Sequence, residues 1–176
     1  MTPLVKVGAK TSSEIMAAIE LQHRTALTYG APRQVLFREL RVGTGFGRVN
    51  QQRIDAWAMD TWPSGLMTRT AYEAKVSRSD FLVEIRNPIK RRAALLFSNL
   101  YYFVTPPGMV KPEEIPAECG LCECWAYEGQ EFRLWCVVPA PWRDNPPPTW
   151  SFFAAIARRV LREEAGATAE RSTEAL

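Results

Sequence analysis

Thr70-Ala71-Tyr72-Glu73-Ala74-Lys75-Val76 reads as a β-strand, and in a strand side chains two apart share a face. Tyr72, Ala74 and Val76 then make an apolar face suited to a core, while Glu73 and Lys75 stand together on the other. An ordinary solvated face would scatter polar residues freely. Here a carboxylate and an ammonium sit midway along an apolar strand, where desolvation makes charge costly unless a partner is supplied.

The segment before it, Arg53-Ile54-Asp55-Ala56-Trp57-Ala58-Met59, has the same construction, with Asp55 the lone carboxylate among apolar neighbours. Pairing of the two strands would bring Asp55 towards Glu73, and two carboxylates about 4 Å apart repel by roughly 4 kcal/mol at an effective dielectric of about 20. A positive charge is needed between them. A hard divalent cation meets that need, because Mg²⁺ takes one or two carboxylates, keeps several waters and leaves positions for phosphate oxygens. Asp55, Glu73 and the backbone carbonyl of Ala74 would hold the ion, whose field lowers the pKa of a bound water. Lys75 would orient that water and offset charge developing in the transition state. The simpler alternative is an exposed Glu73–Lys75 ion pair with Asp55 solvated.

Outward from these strands, Thr11-Ser12-Ser13-Glu14 has the form of a capping box, and the spacing of Ile15, Ala18, Ile19, Ala26 and Tyr29 predicts a helix over 12–29, stopped by Gly30 and Pro32. Strands are expected over 35–42, 53–60 and 70–76 as an antiparallel meander, with a turn at Gly43-Thr44-Gly45-Phe46-Gly47. Those glycines match neither a dinucleotide fingerprint nor a P-loop, so a hairpin turn is the reading, with a DNA-contacting turn as the alternative. Ser77 to Asp80 starts a second helix, bent or split at Pro88, and a fourth strand is expected over 100–105. Segments 120–127 and 131–138 should pair as a hairpin, and after a proline-rich connector a last helix should run over 149–165. The order helix, three strands, helix, strand defines an α/β fold, one domain over 1–165, followed by a small, polar, disordered tail over 166–176.

Asp55 followed 18 residues later by Glu73-Ala74-Lys75 resembles the D…(D/E)-x-K signature of the PD-(D/E)XK nuclease superfamily, and the element order matches that superfamily's core. The stretch 37–125 is more closely similar to the MmcB-like DNA-repair nucleases. Glu39, Arg53-Ile54-Asp55, Glu73-Ala74-Lys75, Ser77, Asp80-Phe81, Lys90, Tyr102 to Pro106, Pro116 and Gly120-Leu121 carry that similarity. The resemblance implies a restriction-endonuclease-like core, a mixed central sheet flanked by helices. It also implies a Mg²⁺- or Mn²⁺-dependent endonuclease acting on DNA, in repair, recombination or mobile-element processing, with a homodimer as one assembly. Many superfamily members add an acidic residue from the first helix, where only Glu14 and Glu20 stand. Glu39, on a strand, ranks above Glu20 as an additional metal ligand. Arg53, Ser77, Arg78, Lys90 and Arg91 are the candidate nucleic-acid contacts.

Composition sets the outer limits. The chain of 176 residues is 47% hydrophobic with a formal charge of +3, a weak lean towards a polyanionic partner. Seventeen of its 22 basic residues are Arg, whose planar fork suits phosphate better than an ammonium does. No run of about 18 apolar residues exists to span a bilayer and no signal-peptide pattern opens the chain, so a cytoplasmic protein without membrane contact is expected. Cys119, Cys122, Cys124 and Cys136 cluster, but their spacing is unlike a zinc knuckle, so buried apolar roles are favoured over a structural zinc site. His23 has no cysteine or serine partner pattern for a triad. The six tryptophans read as packing residues ahead of base-stacking platforms. Two readings stand beside the nuclease: a catalytically silent nucleic-acid-binding accessory protein, and a zinc-stabilised interaction module.

Overall fold

The computed structural model describes residues 5–25, 27–28, 30–43 and 52–174, those from 167 onward by backbone alone. Along the chain run β1 (Lys6–Gly8), α1 (Ser12–His23), β2 (Leu27–Thr28), β3 (Ala31–Pro32), β4 (Gln34–Arg41), β5 (Arg53–Asp60) and β6 (Arg69–Ala74). Then follow α2 (Arg78–Arg86), α3 (Arg92–Phe97), β7 (Leu100–Thr105), β8 (Gly120–Tyr127), β9 (Arg133–Val138) and α4 (Trp150–Glu174).

The meander forms as the alternation predicts: β4, β5 and β6 are successive antiparallel neighbours. From Ala74 the chain crosses through α2 and α3 and returns as β7 parallel to β6, and β8 is again parallel to β7. The β6–β7 return is made by a helical crossover, which Pro88 divides into two helices as expected. The sheet order is β1-β8-β7-β6-β5-β4, with β9 also pairing antiparallel to β8, giving seven strands. This is an α/β fold with a mixed central sheet flanked by helices.

Two cores follow from the two faces of that sheet. On one face Ile15, Met16, Ala18 and Ile19 of α1 pack on Ala56, Ala58, Tyr72, Val104, Cys122 and Cys124. On the other, Phe81 of α2, Ala93, Ala94 and Phe97 of α3 and Phe152 of α4 cover Trp57, Ala71, Tyr101, Phe103 and Leu121. Phe97 and Phe152 stack at 4.1 Å between ring centroids, Phe152 meets the Trp57 ring edge-on at 5.5 Å, and Trp57 Nε1 donates to the Phe97 carbonyl at 3.0 Å. Aromatic pairs of this kind are worth about 0.5–1.5 kcal/mol each beyond their buried area.

Several boundaries differ from the sequence-based expectation for identifiable reasons. Helix α1 has its capping box at Thr11 and Glu14 but ends at His23, not near 29. The Gln34 N–H donates to Thr25 Oγ at 3.2 Å, which turns the chain away, and 27–28 then pair with 31–32 around Gly30 at φ +79°. Strand β1 carries too short a pattern to be read locally and exists because β8 offers it an edge. Helix α4 continues to Glu174 where a disordered tail was expected from 166; its Glu-, Ala- and Arg-rich sequence favours helix despite Gly166. The expected glycine turn lies outside the described residues beyond Gly43.

Candidate active site

The β5–β6 ladder runs from Met59↔Arg69 to Ala56↔Tyr72 and stops there. Asp55 and Ala74 stand just beyond, where the strands part. The Ala74 N–H donates to Asp55 Oδ2 at 3.1 Å, so a side chain of β5 fills the role that its main chain gives up. N–H and C=O of one strand residue point to the same side, so the Ala74 carbonyl faces β5 as well. One residue on, the Lys75 N–H donates to the Val104 carbonyl of β7, which keeps this end of β6 fixed on its other edge.

Glu73 and Lys75 lie on one face of β6 as their spacing predicts, with Lys75 Nζ donating to Glu73 Oε1 at 2.5 Å. The pair is not an exposed surface bridge: its side chains are only 14% and 17% accessible. A third carboxylate joins it, because Glu84 Oε2 lies 3.5 Å from Lys75 Nζ and 3.8 Å from Lys90 Nζ. Glu84 was not among the residues singled out from sequence. The available signal was its position three residues after Phe81, which places both on the buried face of α2.

The electrostatics follow from burial and crowding. Burial, then the charge of Asp55, push the Glu73 carboxyl up to about 7 against the pull of Lys75. Asp55 is raised by burial and by Glu39 and Glu84, with the Ala74 N–H and Lys75 opposing. Burial acts to lower Lys75, yet Glu73, Glu84 and Asp55 together outweigh it and hold the ammonium above its ordinary value. The positive charge that the carboxylates require is therefore supplied in this structure by Lys75.

A cavity of about 300 Å³ lies against Asp55 and Ala74, lined also by Ser12, Ser13, Arg38 and Glu39; of the charged cluster it is Asp55 that reaches it. Glu39 sits on β4 at φ +50°, in the left-handed region that non-glycine residues rarely enter. Its carboxylate pairs with Arg53 and lines the same cavity as Asp55. Glu20 instead binds Arg38 at 3.2 Å, and Glu14 is consumed by the α1 cap, where its Oε2 accepts the Lys10 and Thr11 N–H groups.

Among the described residues no group of three His, Cys, Asp or Glu side chains converges to hold a metal ion. The oxygens at the parting point, two carboxylates and the Ala74 carbonyl, are a hard donor set that suits a cation retaining most of its waters.

The remaining candidates separate clearly. Ser77 caps α2 by accepting the Asp80 N–H at 3.2 Å. Arg78 is held by Glu114 and donates to the Met109 carbonyl. Lys90 lies beside Glu84. Arg91, expected at a nucleic-acid surface, is turned inward at 6% accessibility, where it donates to Glu118 and to the Glu84 carbonyl. Its guanidinium ties α2, α3 and the loop before β8 together instead of reaching solvent.

The zinc alternative fails on geometry. Cys119 is buried among the α2–α4 face and Cys122 and Cys124 among the α1 face, so the sheet separates them. Cys136 is exposed on β9 opposite Cys122. Burial pushes Cys119, Cys122 and Cys124 up to about 12, so these three act as small apolar groups. His23 is a bridge between elements: Nδ1 contacts Gln34 Oε1 and Nε2 contacts the Tyr72 hydroxyl, each at 2.8 Å.

No family model and no curated protein matches the chain. Among solved structures it is similar to the SPO1766 protein of unknown function from Silicibacter pomeroyi, at 23% identity and a TM-score of 0.48, over 76% of this chain and 83% of that one. No helix among the described residues is long and apolar enough to cross a membrane.

Proposed function

We propose that this protein is a metal-dependent nuclease with a restriction-endonuclease-like core, hydrolysing DNA phosphodiester bonds in the cytoplasm in the service of repair, recombination or mobile-element processing. The observation that carries the reading is the meeting of Asp55, Glu73 and Lys75 from two parting strands, with Asp55 also lining a cavity. Structural ion pairs are common, but a buried cluster with more carboxylates than cations, one of which, Asp55, lines a cavity beside a strained Glu39, is costly to keep without a use.

Asp55, Glu73 and the Ala74 carbonyl are the groups that would hold Mg²⁺ or Mn²⁺, and Glu39 is the further carboxylate within the same cavity. When bound, the ion supplies a water of lowered pKa and neutralises phosphate charge. Lys75 stays protonated at neutral pH because Glu73, Glu84 and Asp55 surround it. It can therefore donate to the attacking water or to a phosphate oxygen, and Glu84 orients it from behind. The Ala74 N–H holds Asp55 through Oδ2, which leaves Oδ1 free of that bond on a residue that lines the cavity. A homodimer would set two such sites on two strands of a duplex.

The test is incubation of purified protein with linear, nicked and branched DNA in Mg²⁺ or Mn²⁺, beside Asp55→Ala and Lys75→Ala. Cleavage by the parent chain and its loss in both variants supports the reading. Absence of cleavage in every substrate and metal overturns it.

A further inference from the structure

Arginines 41, 53, 158, 159 and 162 line one cleft of about 270 Å³, between the open end of the β4–β5 pair and α4. They come from two distant parts of the chain, and α4 is brought there by Phe152, Ala155 and Ile156, which anchor its inner face on the α2–α4 core. Arg158 and Arg162 stand four positions apart, which stacks them on one helical face.

The charge there is poorly balanced. Arg53 is paired with Glu39, and Arg159 Nε donates to Glu163 at 2.6 Å. Among the described residues no carboxylate forms an ion pair with Arg41, Arg158 or Arg162. Guanidinium groups gathered in a concave surface repel one another and raise the local potential, an arrangement that an anion relieves. Forked donors at several points along a groove match the successive phosphates of a nucleic-acid strand, to which each can bind two oxygens.

The cleft and the cavity at Asp55 share a wall, because Glu39 lines both. A strand seated on the arginines therefore lies beside the cavity that Asp55 and Ala74 line. Resting on the nuclease reading for its purpose but not for its binding, we propose that the Arg41/Arg53/Arg158/Arg162 cleft is the phosphate-backbone site that seats DNA and leads it to the carboxylate cluster.

The experiment measures binding with catalysis switched off. A short fluorescent DNA duplex is titrated with the full chain in EDTA at several salt concentrations. The chains are wild type, Arg158→Ala/Arg162→Ala, Arg158→Lys/Arg162→Lys, and Arg133→Ala on β9 at the far edge of the sheet. Loss of two phosphate contacts is expected to weaken binding about tenfold and to lower the salt slope by about two. The lysine pair should retain most of the affinity, and Arg133→Ala should bind as wild type. Circular dichroism confirms that the exposed α4 substitutions leave the fold intact. Duplex binding unchanged in the alanine pair, or no binding by the wild type, overturns the proposal.

Cleavage in Mg²⁺ is read separately. Cleavage by wild type with unaltered binding in the alanine pair removes the cleft and leaves the nuclease reading. Weakened binding in that pair with no cleavage by any chain keeps the cleft and removes the nuclease.

Discussion

Asp55 accepts the backbone N–H of Ala74 at 3.1 Å, a side chain of one strand standing in for the ladder at the point where its neighbour leaves it. That bond fixes Asp55 beside Glu73 and Lys75, and it separates the structural duty of the carboxylate from its charge.

Asp55→Asn keeps an oxygen that can accept from Ala74 and removes a charge that burial disfavours. Thermodynamic stability in urea at neutral pH is expected to be unchanged or higher by about 1 kcal/mol. Metal-dependent cleavage is expected to fall by about 10²-fold or more. A destabilised variant would show that Asp55 is a structural charge.

Glu84→Gln leaves Lys75 paired with Glu73, with Asp55 acting from farther off, and removes the contact to Lys90. A loss of about 1–3 kcal/mol in stability is expected, since one partner of a buried charge network has gone. Glu84 is also one of the groups that raise Lys75, so the alkaline limb of the rate profile should move to lower pH. Glu84→Asp should restore part of both. An unmoved alkaline limb would mean that Glu84 does not act through Lys75.

His23 is lowered from 6.5, chiefly by burial, with the Gln34 contact acting in the opposite direction. The unfolded chain takes up this proton as pH falls through 6.5, the folded chain only at lower pH, so His23 contributes stability that is lost below 6.5. Glu73 acts oppositely: it binds its proton near 7 when folded and at 4.5 when unfolded, adding stability as pH falls between them. Urea midpoints of wild type and His23→Gln isolate the first effect, because Glu73 is common to both. The wild type should lose ground to the variant between pH 7 and 5, and parallel curves would contradict the buried neutral imidazole.

A thiol reagent at pH 8 should label Cys136 quickly in the native protein, and all four cysteines in denaturant. Cys119, Cys122 and Cys124 are both buried and held near 12, so their thiolate fraction is negligible. A second thiol reacting as fast as Cys136 would show that one sheet face opens on the reaction timescale.

The sequence reached furthest where the deciding interactions are local. Alternation alone put Glu73 and Lys75 on one face of β6, the capping box placed the start of α1, and β7 and β8 begin and end where their apolar runs do. It reached less far where a residue's role depends on a partner remote in the chain. Arg91 follows Lys90 in a basic run that reads as a nucleic-acid contact, yet Glu118 from another loop draws it into the interior. Cys119 and Cys122 look like neighbours of one cluster, yet the start of β8 turns them to opposite sides of the sheet.

By itself the sequence determined the α/β order, the meander and the charged face of β6, because side-chain period, caps and turn residues act over a few positions. Only the tertiary structure decided that β5 and β6 part just past Ala56 and Tyr72, that Glu84 closes on Lys75, and that Arg158 of α4 lines one cleft with Arg41 of β4. Those relationships depend on register and on how helices seat upon a twisted sheet, which are settled by packing across the whole core and leave no mark in any short stretch of sequence.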